Sequence, residues 1–108
     1  MYAPTLYVLS DGTLVCLHAS YAPGHPGLHA IFSSDAGHTW IAPAIDRGFL
    51  VDGSVYGYGA AVRLNDDSLY LLYQNNMSLN AEQIKSQALF ALRLQVHPDH
   101  SGIDLLPP

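Results

Sequence analysis

Eight residues in the first half of the chain, SSDAGHTW at positions 33–40, constrain the fold more than any other segment. Ser and Asp side chains can bond nearby backbone N–H groups, and Gly can take a positive φ without steric cost. An aromatic ring directly after such a turn can pack on the adjoining sheet. The spacing therefore predicts a tight turn between two antiparallel strands, with Trp40 largely buried. The positions that carry this chemistry are Ser33, Asp35, Gly37, Thr39 and Trp40.

An internal repeat with an offset of 55 residues pairs Leu9 with Leu64 and Asp11 with Asp66. Each copy consists of an apolar run, a polar turn (SDG or NDD) and a second apolar run, which predicts a β-hairpin within residues 7–20 and another within 62–75. The runs alternate only weakly, as is typical of strands that are covered on both faces. Further strands are expected near residues 28–32 and 40–45 in the first copy, and near 88–96 and 103–106 in the second.

Residues 81–96 also contain strong helix formers, and Asn80 with Gln83 would make a capping box. The repeat favours a strand from about Gln87 onward, and a helical start of this segment stays open. The turn HPDHSG at 97–102 then takes the place of the octapeptide but lacks its serine, its second-position glycine and its tryptophan. We therefore expect two four-stranded antiparallel sheets, one within residues 1–55 and one within 56–108.

The octapeptide resembles the Asp-box (BNR repeat) of sialidases (neuraminidases) and related β-propellers, where it forms the outer turn between the third and fourth strands of a blade. Residues 33–94 also resemble the closing part of a sialidase, with a Tyr-led strand at Tyr58 and a strand ending in LYQ at Gln74, where the family has L-Y-E. This resemblance implies an all-β fold whose two sheets are the C-terminal two blades of a six-bladed propeller. It places Tyr58 at the position of the family's catalytic tyrosine.

The departures from the family are as informative as the match. Sialidases bind the substrate carboxylate with three arginines, whereas this chain has only Arg47, Arg63 and Arg93 in all, and Arg47 alone lies in a loop suited to an anion. The early blade that carries the acid/base aspartate has no counterpart here. The resemblance therefore implies a glycoside hydrolase-like unit without catalytic activity of its own. The alternative is a glycan-binding, lectin-like or purely structural propeller, with the candidate ligand contacts Arg47, Tyr56, Tyr58 and Tyr73.

Composition bears on possible partners. Hydrophobic residues make up 49% of the chain and charged residues only 12%, which leaves few charges to cover the surface of a small globule. Since two blades cannot close a ring, we expect either a longer natural chain or a homotrimer that completes six blades. A net charge of −5 argues against nucleic acid as a partner.

No metal, cofactor or membrane partner is expected. The segment His97–His100 is interpreted as a solvated turn, and Cys16 as a small buried hydrophobe. No apolar run approaches the roughly 20 residues that span a bilayer, and no signal peptide follows Met1. These features predict a soluble protein, in a compartment that the sequence does not indicate.

Overall fold

The computed structural model describes residues 2–20, 24–44, 47–53, 60–74 and 89–108. Within these ranges the chain forms eight strands and no helix, and each strand pairs antiparallel with the next to give two four-stranded sheets. The predicted all-β antiparallel architecture is confirmed. Sheet one contains β1 (Tyr2–Val8), β2 (Leu14–Ser20), β3 (Gly27–Ser33) and β4 (Phe49–Asp52); sheet two contains β5 (Ala60–Arg63), β6 (Leu69–Gln74), β7 (Leu89–Val96) and β8 (Ile103–Leu106).

The repeat seen in the sequence is also a repeat of strand register. Val8 pairs with Leu14 at the end of the first hairpin, and Arg63 pairs with Leu69, each 55 residues further along, at the end of the second. Because partners directly opposite each other share a face of the sheet, this register assigns equivalent residues to equivalent faces in the two copies.

The two hairpin turns also close with the same hydrogen bonds. In the first, the Leu9 N–H donates to the Thr13 carbonyl at 2.9 Å, and the Thr13 N–H donates to the Asp11 carboxylate at 2.9 Å. The second turn repeats both bonds with Leu64, Ser68 and Asp66, at 2.8 and 3.0 Å. Local Asx chemistry therefore sets both turns.

The hydrophobic core lies between the two sheets. Phe32 in β3 is fully buried, and its ring stacks on that of Phe49 with the centroids 5.1 Å apart. The core includes Val15, Leu17 and Leu28 from sheet one and Leu69, Leu71 and Leu94 from sheet two. The inner face of each sheet is therefore covered by the other sheet.

Polar groups connect the sheets at the turn between β1 and β2. The Arg63 guanidinium donates to the Val8 carbonyl at 3.2 Å. The Asp67 carboxylate accepts from the Ser10 N–H at 3.0 Å and from the Ser10 hydroxyl. The Thr13 hydroxyl lies 3.1 Å from His100 Nε2. These bonds join the first hairpin turn to the β5–β6 and β7–β8 turns of sheet two.

The predicted fourth strand at residues 40–45 is wrong. Ile41 makes a single bridge with Phe32, after which the chain leaves β3 and rejoins it as β4, where Phe49 pairs with Ala30. Pro43 explains the interruption, because proline has no N–H to donate to a neighbouring strand.

Several other sequence predictions concern residues that the structure describes only in part. The division after residue 55 falls within 54–59, outside the described residues, and stays a prediction. The possible helical start at 81–88 is outside them too, whereas Leu89–Val96 is a strand, as expected. Cys16 is buried, and burial raises the pKa of its thiol. The described part of the chain contains no helix long and apolar enough to cross a membrane.

Candidate functional site

A cleft of about 370 Å³ opens at the end of sheet one where β2 leads into β3. The loop before β3 contributes His25 and Pro26 to one wall, and the chain around β4 contributes Arg47 and Leu50 to the other. His29, from β3 itself, lies between them. The cleft therefore exists because the chain leaves β3 after Ile41 and returns as β4.

His29 connects the two walls. Its ring is buried, with Nδ1 3.1 Å from the Gly48 carbonyl and Nε2 3.4 Å from the Pro26 carbonyl. Carbonyl oxygens only accept hydrogen bonds, so His29 contacts these walls as a donor. The ring of His18 stacks on it with a centroid separation of 5.8 Å. Both nitrogens of His29 face the protein backbone, which makes it a positioning residue for the walls.

Glycines allow the walls to approach each other closely. A Cβ added to Gly48 would lie 2.8 Å from the Ala30 carbonyl oxygen. A Cβ added to Gly27 would lie 2.3 Å from the Asp52 carbonyl oxygen, and Gly27 has a φ of +110°. These are backbone contacts, so no side-chain rotation can relieve them. The width of the cleft thus depends on residues without side chains.

The chemistry of the cleft favours an anion. Arg47 is exposed, and no carboxylate occurs among the described residues that line the cleft. A guanidinium presents a planar fork that binds a carboxylate, sulfate or phosphate with two hydrogen bonds. Pro26, Pro43 and Leu50 add apolar surface beside it.

Sequence reasoning identified Arg47 but overlooked the histidines around it. The sequence does not group His25 with His29, because its six histidines are scattered along the chain. The available signal was the segment Gly24–Gly27 between two strands, whose two glycines have φ values of +84° and +110°. Such a turn places His25 beside the cleft.

The predicted tyrosine contacts do not line this cleft within the described residues. Tyr56 and Tyr58 lie outside those residues, so their roles stay predictions. Tyr73 lies in the core, where its hydroxyl donates to the Asp52 carboxylate at 3.1 Å. Burial, and then the nearby Asp52 charge, raise the pKa of Tyr73 to about 12. Its phenol is therefore protonated at neutral pH and bonds across the two sheets.

The three arginines do not meet in one pocket. Arg63 reaches the Val8 carbonyl, at the end of sheet one opposite to the cleft. Arg93 donates to the Pro107 carbonyl at 3.0 Å and lies 3.5 Å from the Asp66 carboxylate. Among the described residues that line the cleft, Arg47 is the one arginine.

The octapeptide forms the predicted tight turn, also at the end opposite to the cleft. The buried Ser33 hydroxyl accepts from the Gly37 N–H at 2.9 Å. The Asp35 carboxylate accepts from the Thr39 N–H at 2.9 Å and from the Thr39 hydroxyl at 2.5 Å. Gly37 has a φ of +89°, which glycine adopts without strain. Ser33, Asp35, Gly37 and Thr39 thus each have a hydrogen bond or a dihedral angle that suits their residue type.

The expectation of a largely buried Trp40 is wrong, because its side chain is 40% exposed. Its ring edge would lie 3.8 Å from a Cβ added to Gly37, so the ring leans over the turn. Truncation of Trp40 therefore removes less buried area than the full burial expected from the motif would.

Acid should weaken the turn. Hydrogen bonds from the Thr39 hydroxyl, the Thr39 N–H and the Ser33 hydroxyl lower the pKa of Asp35 from 3.8 to about 2. A depressed carboxyl pKa in the folded state stabilises it above the unfolded value, and this stabilisation is lost as the pH falls from about 4 through 2. We expect NMR titration to give Asp35 a midpoint near the lower value, and Thr39→Val to raise it. A midpoint near 3.8 in the unmodified chain would contradict this.

A second, smaller cleft of about 230 Å³ lies between the turns of the two sheets, with Asp11, Asp66, His97 and His100 on its walls. The carboxylates serve the local turns: the Thr13 N–H, for example, lowers the pKa of Asp11. Among the described residues, no three His, Cys, Asp or Glu side chains are grouped so that they could hold a metal ion.

Comparison of the chain with protein-family models, with curated proteins and with solved structures finds no match.

Proposed function

We propose that this chain is a two-blade unit of a sialidase-like β-propeller, related to carbohydrate-active glycoside hydrolases but without glycosidase activity of its own. One observation supports this most directly: two four-stranded antiparallel sheets pack face to face with a 55-residue repeat of hairpin register. Radial repetition of such sheets builds a propeller. The S-x-D-x-G-x-T-W turn directly after β3 fits the outer turn of a blade.

The expected lack of activity follows from how the polar groups are placed. Arg47 lines the cleft, whereas Arg63 contacts the Val8 carbonyl and Arg93 lies beside the Asp66 carboxylate, so these contacts make no joint clamp for a carboxylate. A phenol is a weak nucleophile unless a base removes its proton. Tyr73 lies beside the Asp52 carboxylate, but burial, and then the Asp52 charge, raise the pKa of that phenol to about 12. The described residues therefore supply neither an arginine clamp for the substrate nor an activated tyrosine.

The test is the turnover of a fluorogenic sialoside by the purified chain and by its Tyr58→Phe variant. We expect both to stay at the buffer background, because general acid/base help of about 10² to 10⁴ in rate is missing. Far-UV circular dichroism would show that both proteins are folded. Turnover in the unmodified chain that disappears in the variant would instead establish a tyrosine-dependent glycosidase.

The cleft around Arg47 favours a second candidate function, the binding of acidic glycans. It combines one guanidinium with apolar surface and has no carboxylate among its described lining residues. A lectin needs this kind of site, with one charged anchor and surrounding contact surface, rather than a nucleophile.

Saturation-transfer NMR with sialyllactose would test the second candidate, with lactose as the neutral control ligand. We expect sialyllactose alone to bind, and Arg47→Ala to weaken binding about 10- to 100-fold, the effect of losing a hydrogen bond to a charged group. Arg47→Lys keeps the charge without the fork and should give an intermediate loss. Equal binding by the unmodified chain and Arg47→Ala would exclude the cleft as the glycan site.

A further inference from the structure

Each sheet has a second face that points away from the shared core. In sheet one this first outer face carries Leu6 and Val8, which are 57% and 55% exposed, while Leu50 on the same face lines the Arg47 cleft. In sheet two the second outer face carries Val62 and Leu72, which are 57% and 38% exposed. Side chains alternate along a strand, so these residues lie on the faces opposite to the core residues. Both outer faces therefore expose apolar side chains, and the second also carries the charged side chains of Arg93 and Asp104.

The repeat relates these outer faces to the interface inside the chain. The first outer face corresponds, 55 residues on, to the inner face of sheet two: Leu6 to Ala61, Leu14 to Leu69 and Cys16 to Leu71. The second outer face corresponds to the inner face of sheet one: Val62 to Tyr7, Tyr70 to Val15 and Leu72 to Leu17. The two free faces are thus repeats of the two faces that already pack together in the core.

We propose that the second outer face of one copy binds the first outer face of another copy, head to tail, and so repeats the internal contact between the sheets. This inference rests on the proposed two-blade unit. The two contacting surfaces differ, so the contact is heterologous and continues until the ring of copies closes. With the six blades of the resembling family, closure takes three copies.

Two variants separate the two faces. Leu6→Arg places a charge on the first outer face, and Val62→Arg places one on the second; both positions are exposed within the chain, so its own core is left intact. Light scattering coupled to size exclusion would give the mass of each. We expect a trimer for the unmodified chain and for the control Ser34→Arg on the octapeptide turn, and monomers for each variant alone.

The decisive measurement is the mass of the two variants mixed in equal amounts. Each variant keeps the face that the other lacks, so a head-to-tail contact predicts a 1:1 dimer that grows no further. A variant that dimerises by itself would overturn the head-to-tail arrangement, and an unmodified chain that is monomeric at tens of micromolar would overturn self-association. Val8→Lys and Leu72→Lys serve as replacements if either variant fails to fold.

These outcomes are distinguishable from failure of the proposed function. A monomer that is inactive on sialosides would leave the two-blade unit standing, with other blades as the cover for its faces. Sialoside turnover by an assembled ring would overturn the lack of activity and leave the contact between copies intact.

Discussion

Phe32→Ala should lower the free energy of unfolding by about 3–5 kcal/mol, the usual effect of emptying a large buried aromatic site. Phe32 has no exposed surface, stacks on Phe49 at 5.1 Å, and contacts the His100 ring of sheet two at 5.9 Å. Its loss leaves a cavity between the sheets that neither backbone can close. For a small domain with a total stability of about 5–15 kcal/mol, this is a large fraction.

Urea unfolding followed by circular dichroism measures this effect. Leu105→Ala is the control, because Leu105 is 44% exposed and its truncation should change stability by only about 0.5 kcal/mol. Protein concentration must be equal throughout, since association would add to apparent stability. A loss below about 1 kcal/mol for Phe32→Ala would mean that the sheets do not share a core at this position.

Gly27→Ala should be at least as damaging, at about 3 kcal/mol or more, because it combines backbone strain with overpacking. The φ of +110° disfavours any L side chain, and the new methyl group would lie 2.3 Å from the Asp52 carbonyl oxygen and 2.6 Å from Gly53 Cα. Relief requires β3 and the end of β4 to separate. Because Gly53 also lines the cleft, the same shift should open the wall opposite His25.

Gly12→Ala is the matched control that separates backbone strain from steric overlap at Gly27. Gly12 has a φ of +89°, but a Cβ there would meet nothing within 4 Å, so its replacement by alanine measures the backbone strain alone, about 1–2 kcal/mol. The difference between the two variants in the same urea experiment gives the steric part. Equal losses would show that β4 does not press on Gly27.

The sequence was most informative where short-range chemistry decides the structure. Asp11 and Asp66 indicated both hairpin turns, and Ser33 with Asp35 indicated the turn after β3. The place where β4 rejoins β3 was not predictable, because a single residue, Pro43, ends the first pairing and a second close contact at Gly48 begins the next. The exposure of Trp40 was missed for a related reason. A motif specifies the bonds of a turn but not what packs above it.

The cleft could be predicted only in part. Arg47 was identified from its residue type and loop position, which local reasoning can judge. The His29 bridge depends on two carbonyl groups, of Pro26 and Gly48, that come together only after β3 and β4 have paired. The spacing of residues in the sequence does not predict tertiary contacts of this kind, and only the short glycine-containing loop before β3 indicated them.

Two of the hydrogen bonds that connect the sheets cannot be formed by the residues 55 positions away in the repeat. Ser10 donates to Asp67, but the equivalent positions are occupied by Asn65 and Gly12, and Gly12 has no side chain to accept. Arg63 donates to the Val8 carbonyl, but Arg63 and Val8 are each other's equivalents, so the position of the guanidinium would be taken by a valine. A joint between copies would therefore contain the apolar contact without either bond. Dilution or mild heating would then dissociate the proposed assembly of copies before the two sheets within each copy separate, so that each dissociated copy would stay folded.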